Sequence, residues 1–129
     1  MRTSVLPGRR RCRRPVYWIS VLAVEFANGV DLTYYWSKSL PIGAAYWCPL
    51  RNWKQREFHV AVRSGSDGLG ARHAESRNLH DDALRYFGAH PGNVVRVWLI
   101  AVSVFKRQRG RCAHADIRLR GGGDEQIVL

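Results

Sequence analysis

The sequence predicts a mostly β fold, an antiparallel β-sandwich or jelly roll with one short helix. Three observations lead there. Several stretches alternate apolar and polar residues with a period of two, as half-buried strands do. Glycine-rich and Asn-Gly turn signals separate them. Only one segment, "RNLHDDALRYFG", combines helical spacing with residues suited to both helix ends.

Length and composition fit that reading. A chain of 129 residues is one domain by the ordinary prior, and it can bury a real core. Its formal net charge is +11, spread unevenly. Of the 21 Lys and Arg, six Arg fall in the first fourteen residues, which hold no acid, so the remainder stands at 15 bases against 10 acids. Residues 1–15 therefore read as a basic, disordered leader, and residues 16–129 as a single sandwich domain. Net charge of this kind bears on solubility and attraction to polyanions, not on fold.

From Val16 the texture is that of a strand. "VYWISVLAVEF" is β-branched and aromatic, and Glu25 interrupts it, which argues against an export signal. No segment approaches the roughly 20 apolar residues of a membrane span. Asn28-Gly29 predicts a type I′ hairpin turn, which needs positive φ at both central residues. In "VDLTYYWS", Val30, Leu32, Tyr34 and Trp36 fall on one face and Asp31, Thr33, Tyr35 and Ser37 on the other, the pattern of a half-buried antiparallel strand. "KSLPIGAAYWCPLRNWKQ" reads as a long aromatic connection. "REFHVAVRSG" resumes alternation, with Phe58, Val60 and Val62 inward and Glu57, His59 and Arg63 outward. The helix follows, with Asn78 as N-cap, Asp81 and Asp82 in the first turn and Gly88 as the stop. Leu79, Ala83, Tyr86 and Phe87 share its apolar face. "VVRVWLIAVSVF" is the most apolar run and predicts a central strand buried on both sides. "KRQRG" turns the chain into "RCAHADIRL", with Ala113, Ala115, Ile117 and Leu119 inward and Cys112, His114, Asp116 and Arg118 outward. "GGG" reads as a hinge, and "EQIVL" as a short last strand.

Several of these stretches together resemble the bacterial family known as domain of unknown function 3047. The likeness runs from about Val21 to Leu119. It is carried by the Tyr-Trp-Ser strand end with its Leu-Pro-x-Gly turn, and by Arg77, Asn78, Asp82, Phe87 and Gly88 around the helix. The resemblance implies a galactose-binding-like jelly roll, similar to carbohydrate-binding modules, with no established catalytic activity. The chain departs from the family pattern in two places. "SVFKRQRG" stands where relatives carry an acidic Asp-x-Asp-Asn-Thr segment, so a cation site built on those acids is not expected. Ala71, Arg72 and His73 stand where relatives often have Trp. The family domain also has further strands upstream, so this chain reads as a shortened copy whose unpaired strand edges invite self-association.

The strongest functional hint is aromatic. Tyr35, Tyr46, Trp47 and Trp53 are candidates for a platform on which a sugar ring stacks, weighed against the commoner role of sealing the mouth of a sandwich. Lys106, Arg107, Arg109 and Arg111 form a cationic tip that suits an exposed hairpin turn. As a nucleic-acid grip they would meet phosphates, but no stacking aromatics interleave with them. His114 and Asp116, flanked by Cys112, are the candidates for a hydrolase, and an ordinary polar strand face explains them as well, while the paired acids Asp81 and Asp82 read as helix-start charge. Cys112-x-His114 is a poor metal signal, and Cys48 or His59 could complete a set only by chance of folding. The three cysteines are too few and scattered for a disulfide framework. The reading is thus a non-catalytic binding module for a glycan or an envelope protein partner. A basic nucleic-acid-associating protein is the alternative, and neither cofactor nor metal is expected.

Overall fold

The structure, a computed structural model, describes residues 2–5, 19–66, 68–102 and 112–129. They form β1 (Arg2–Val5), β2 (Ile19–Phe26), β3 (Asp31–Ser37), β4 (Ala45–Trp47), β5 (Glu57–Ser64), β6 (His73–Ser76), α1 (Leu79–Phe87), β7 (Val94–Val102), β8 (His114–Gly121) and β9 (Asp124–Ile127). The described residues are mostly β with one short helix. It divides into two compact units, one holding a five-stranded sheet of order β4-β5-β3-β2-β7, the other a four-stranded sheet of order β6-β1-β8-β9 together with α1.

In the five-stranded sheet β3 lies at the centre, and its burial follows from that position. Leu32, Thr33, Tyr34, Tyr35 and Ser37 are all buried, so both faces of the strand are covered and the expected exposed face is absent. The pairing is antiparallel except between β3 and β5, which run parallel in register Asp31↔Glu57 to Tyr35↔Ala61 before a bulge. A parallel pair needs a crossover rather than a hairpin. Residues 38–56 supply it, and within them β4 adds an edge strand to β5 that was expected to be loop.

The turn joining β2 and β3 differs from the expected type I′. Only Gly29 has positive φ (83°). The Gly29 amide donates to the Phe26 carbonyl (2.9 Å) and the Phe26 amide to the Val30 carbonyl (2.9 Å). This is the three-residue hairpin in which a tight turn ends on a left-handed glycine. Asn28 contributes through its side chain, whose Oδ1 accepts from the Val30 amide (3.0 Å).

β7, expected at the centre, is an edge strand. Among the described residues it pairs only with β2, and Val95, Trp98 and Leu99 are exposed. Apolar content measures how much a strand gains from cover, but strand order decides whether cover exists.

In the other unit, residues 2–5 form a strand between β6 and β8 where the sequence predicted a disordered leader. The rest of that leader lies outside the described residues. The hinge expected at the glycines is a tight hairpin. Gly121 pairs with Asp124, and Gly122 and Gly123 both take positive φ (58° and 84°), the two-residue geometry expected at Asn28-Gly29. Strict alternation in β8 fails at Asp116, which has φ 54° and sits where the register against β1 shifts. Ile117 is fully buried. α1 matches expectation at both ends: Asn78 Oδ1 accepts from the Asp81 amide (3.2 Å), and Gly88 closes the helix in the left-handed region. Asp82, expected as first-turn charge, is buried and bound twice by Arg77, Nε to Oδ2 at 3.0 Å and Nη2 to Oδ1 at 3.2 Å.

Candidate functional site: the polar end of one sheet face

Residues directly paired across strands share a face of a sheet. On one face of the five-stranded sheet the register sets up three successive rows. The first is apolar: Ile100, Val21, Tyr35 and Ala61, from β7 to β5. Val21, Ala23, Tyr35 and Ala61 form a buried cluster against which Tyr46 and Ile100 pack. The second row runs Trp98, Ala23, Thr33, His59, Tyr46 across all five strands. The third is charged: Arg96, Glu25, Asp31 and Glu57.

Three carboxylates on adjacent strands repel one another, since directly opposed like charges destabilise a sheet. Asp31 shows the consequence. Burial, followed by Glu25 and Glu57, pushes its carboxyl up from 3.8 to about 6, while Arg96 acts in the opposite sense. Glu25 is better provided for. Its Oε2 lies 3.5 Å from Arg96 Nε and accepts from Trp98 Nε1 at 3.2 Å. The Arg96 guanidinium also lies 4.8 Å from the Trp98 ring centroid. Trp98 is 39% exposed, so it presents an indole to solvent with its N–H and its cation already fixed.

At the far edge the second and third rows meet β4. The Tyr46 and His59 rings stack at 5.3 Å, only 4° from parallel, and Tyr35 meets His59 edge-on at 5.7 Å. The hydroxyls of Tyr35 and Tyr46 share a 2.6 Å hydrogen bond. Burial, and then that bond, push the Tyr46 phenol above its ordinary range. The Cys48 amide donates to the Glu57 carbonyl (2.8 Å), which fixes Cys48 beside Glu57. As a result a sulfur of Cys48, an oxygen of Glu57 and a nitrogen of His59 lie within 4.8 Å of one another.

The four aromatic residues singled out in the sequence do not fall on a single surface. Tyr35 is buried (4% exposed) and holds Tyr46 from beneath. Trp47, next to Tyr46 in an extended strand, faces the opposite way, meets Phe58 edge-on at 5.1 Å and is 41% exposed. Trp53 is exposed in the turn that follows, where its amide donates to the Leu50 carbonyl. Lys106, Arg107, Arg109 and Arg111 lie outside the described residues. His114 is held below the usual histidine range by burial, and Asp116 is tied to Arg72 at 2.8 Å, out of the alternation that was to place it beside His114.

Sequence reasoning missed Trp98 and the charged row. Trp98 was hidden in a run taken for core. Glu25 and Asp31 face each other through the register of the three-residue hairpin, which differs from the expected turn, and Glu57 joins them only through strand order.

No curated protein and no solved structure matches the chain, and no helix among the described residues is long and apolar enough to cross a membrane. A family model does match, over residues 20–118. The matched span contains Arg77, Asn78, Asp82 and Gly88, which the structure shows as the ion pair and caps that close the helix. The chain belongs to the family described as "Protein of unknown function (DUF3047)".

Proposed function

We propose that this chain is a non-catalytic binding module of the galactose-binding-like, jelly-roll kind, and that its ligand is a glycan. The observation that carries the reading is the exposed indole of Trp98 beside Arg96, Glu25 and Asp31. A pyranose offers an apolar C–H face and a ring of hydroxyls. An aromatic face receives the first, and fixed carboxylates and a guanidinium bond the second. Binding sites commonly pair apolar surface with a few convergent polar groups in this way. In this reading Tyr46 borders the same face, Tyr35 positions Tyr46, and Trp47 and Trp53 supply a separate pair of exposed rings. Two multi-stranded sheets, each with consecutive strands linked by a tight hairpin, support the jelly-roll assignment.

The test is a neutral-glycan array followed by titration calorimetry with the full chain and the Trp98→Ala and Trp47→Ala variants. Neutral glycans keep simple charge attraction out of the result. Expected is a hit whose affinity falls about tenfold or more in Trp98→Ala, the size of a lost stacking contact. A hit unaffected by either substitution, or no hit at all, overturns the reading.

A further inference from the structure

The geometry points to a zinc-type divalent metal site formed by Cys48, Glu57 and His59. It does not depend on the glycan reading, since none of its ligands belongs to the Trp98 surface. The three donor atoms lie within 4.8 Å of one another. Tetrahedral zinc holds thiolate at about 2.3 Å and imidazole or carboxylate at about 2.0–2.2 Å, so small rotations of the side chains close the set.

The backbone already places all three. Glu57 and His59 are two apart on β5 and therefore share a face, and Cys48 is fixed opposite Glu57 by its amide bond to that residue's carbonyl. The His59 ring is clamped between the stacked Tyr46 and the edge of Tyr35, which limits its rotation. Its Nε2 is buried and makes no hydrogen bond. It lies 3.0 Å from Glu57 Oε1, a contact that is not a hydrogen bond and that a shared metal ion would explain. A buried ring nitrogen without a hydrogen bond is costly unless something else uses it.

The donor set selects the metal. One soft thiolate, one imidazole and one carboxylate suit zinc or cobalt, whereas calcium and magnesium demand oxygen alone. Three protein ligands leave a fourth position for water. The Glu57 and His59 side chains are 24% and 15% exposed, which gives the ion a route from solvent past a buried sulfur.

The experiment adds Co²⁺, then Zn²⁺, to the metal-free full chain. Expected is one equivalent of Co²⁺ bound with a thiolate-to-cobalt charge-transfer band and strong visible bands of tetrahedral cobalt, all abolished by Zn²⁺. Cys48→Ser should remove the charge-transfer band. His59→Gln should weaken zinc binding by about 100-fold or more, at least what the loss of an outer-sphere partner costs. Cys112→Ser should leave both unchanged. Circular dichroism of each variant separates lost ligation from lost folding, and Glu57→Gln gives a third, nearly isosteric removal of one ligand. A band that survives Cys48→Ser, a band that disappears in Cys112→Ser, or no thiolate–cobalt band in the folded wild-type chain overturns the proposal.

Discussion

At the scale of single residues, Asp31 carries the clearest consequence. Its carboxyl titrates near 6 in the folded chain against 3.8 when unperturbed, so between those values the folded state binds more protons than the unfolded one. Stability therefore falls as pH rises through that window. Removing the charge should reverse this. Asp31→Asn is expected to be more stable than wild type by about 1 kcal/mol at neutral pH, a figure reduced from the full shift because the group is partly solvated, and no more stable below the unperturbed value. Urea melts of both proteins across that range check it, and an equal gain at all pH would show that the ionised carboxylate, disfavoured by burial and by Glu25 and Glu57, is not the cause. Arg77 and Asp82 are the counterpart, two charges well satisfied by each other and largely out of water. Asp82→Ala removes a half-buried, doubly bonded ion pair and should cost about 2 kcal/mol, between the values for exposed and buried pairs. Asn78→Ala should cost about 1 kcal/mol through the lost cap. Thermal melts measure both, and near-zero costs would mean that the family's helix motif is retained for something other than closing the helix.

Elements respond to turn chemistry and strand order. The β8–β9 hairpin depends on Gly122 and Gly123, both in the left-handed region. A β-branched residue is strained there, so Gly122→Val should destabilise by about 1–2 kcal/mol, while Gly122→Asn should be tolerated. Equal melting temperatures for the two variants would contradict the turn assignment. β7 is the element most at odds with its composition. It exposes Val95 and Leu99 on an edge that, among the described residues, has no second partner. Such edges template further pairing. The wild-type chain should associate with rising concentration in sedimentation velocity, and Leu99→Lys should suppress this with little loss of stability. A wild-type chain that stays monomeric at all concentrations removes the argument.

For the whole molecule, charge and site make different demands. The net charge of +11 favours any polyanion, with an attraction that collapses as salt rises. The Trp98 face and the Cys48–Glu57–His59 cluster are local and should be far less sensitive. Binding to duplex DNA is thus expected to disappear steeply with salt and to be indifferent to Trp98→Ala, measured by gel shift over a salt series. Retention at high salt would favour the nucleic-acid alternative over the glycan reading.

The helix and its caps, the longer strands and the family were legible in the sequence, because each depends on residues close together along the chain. Asn78, Asp82 and Gly88 lie within a dozen positions, so their spacing is already their geometry. The charged row, the zinc-type cluster and the exposure of Trp98 were decided only by tertiary structure. Glu25, Asp31 and Glu57 meet because β3 pairs with β2 in one direction and with β5 in the other, and Cys48 meets His59 because a short edge strand folds back onto β5. Periodicity tells which residues share a face. It does not say which strands are neighbours or which lies at the edge, because strand order is set by burial summed over the whole sheet.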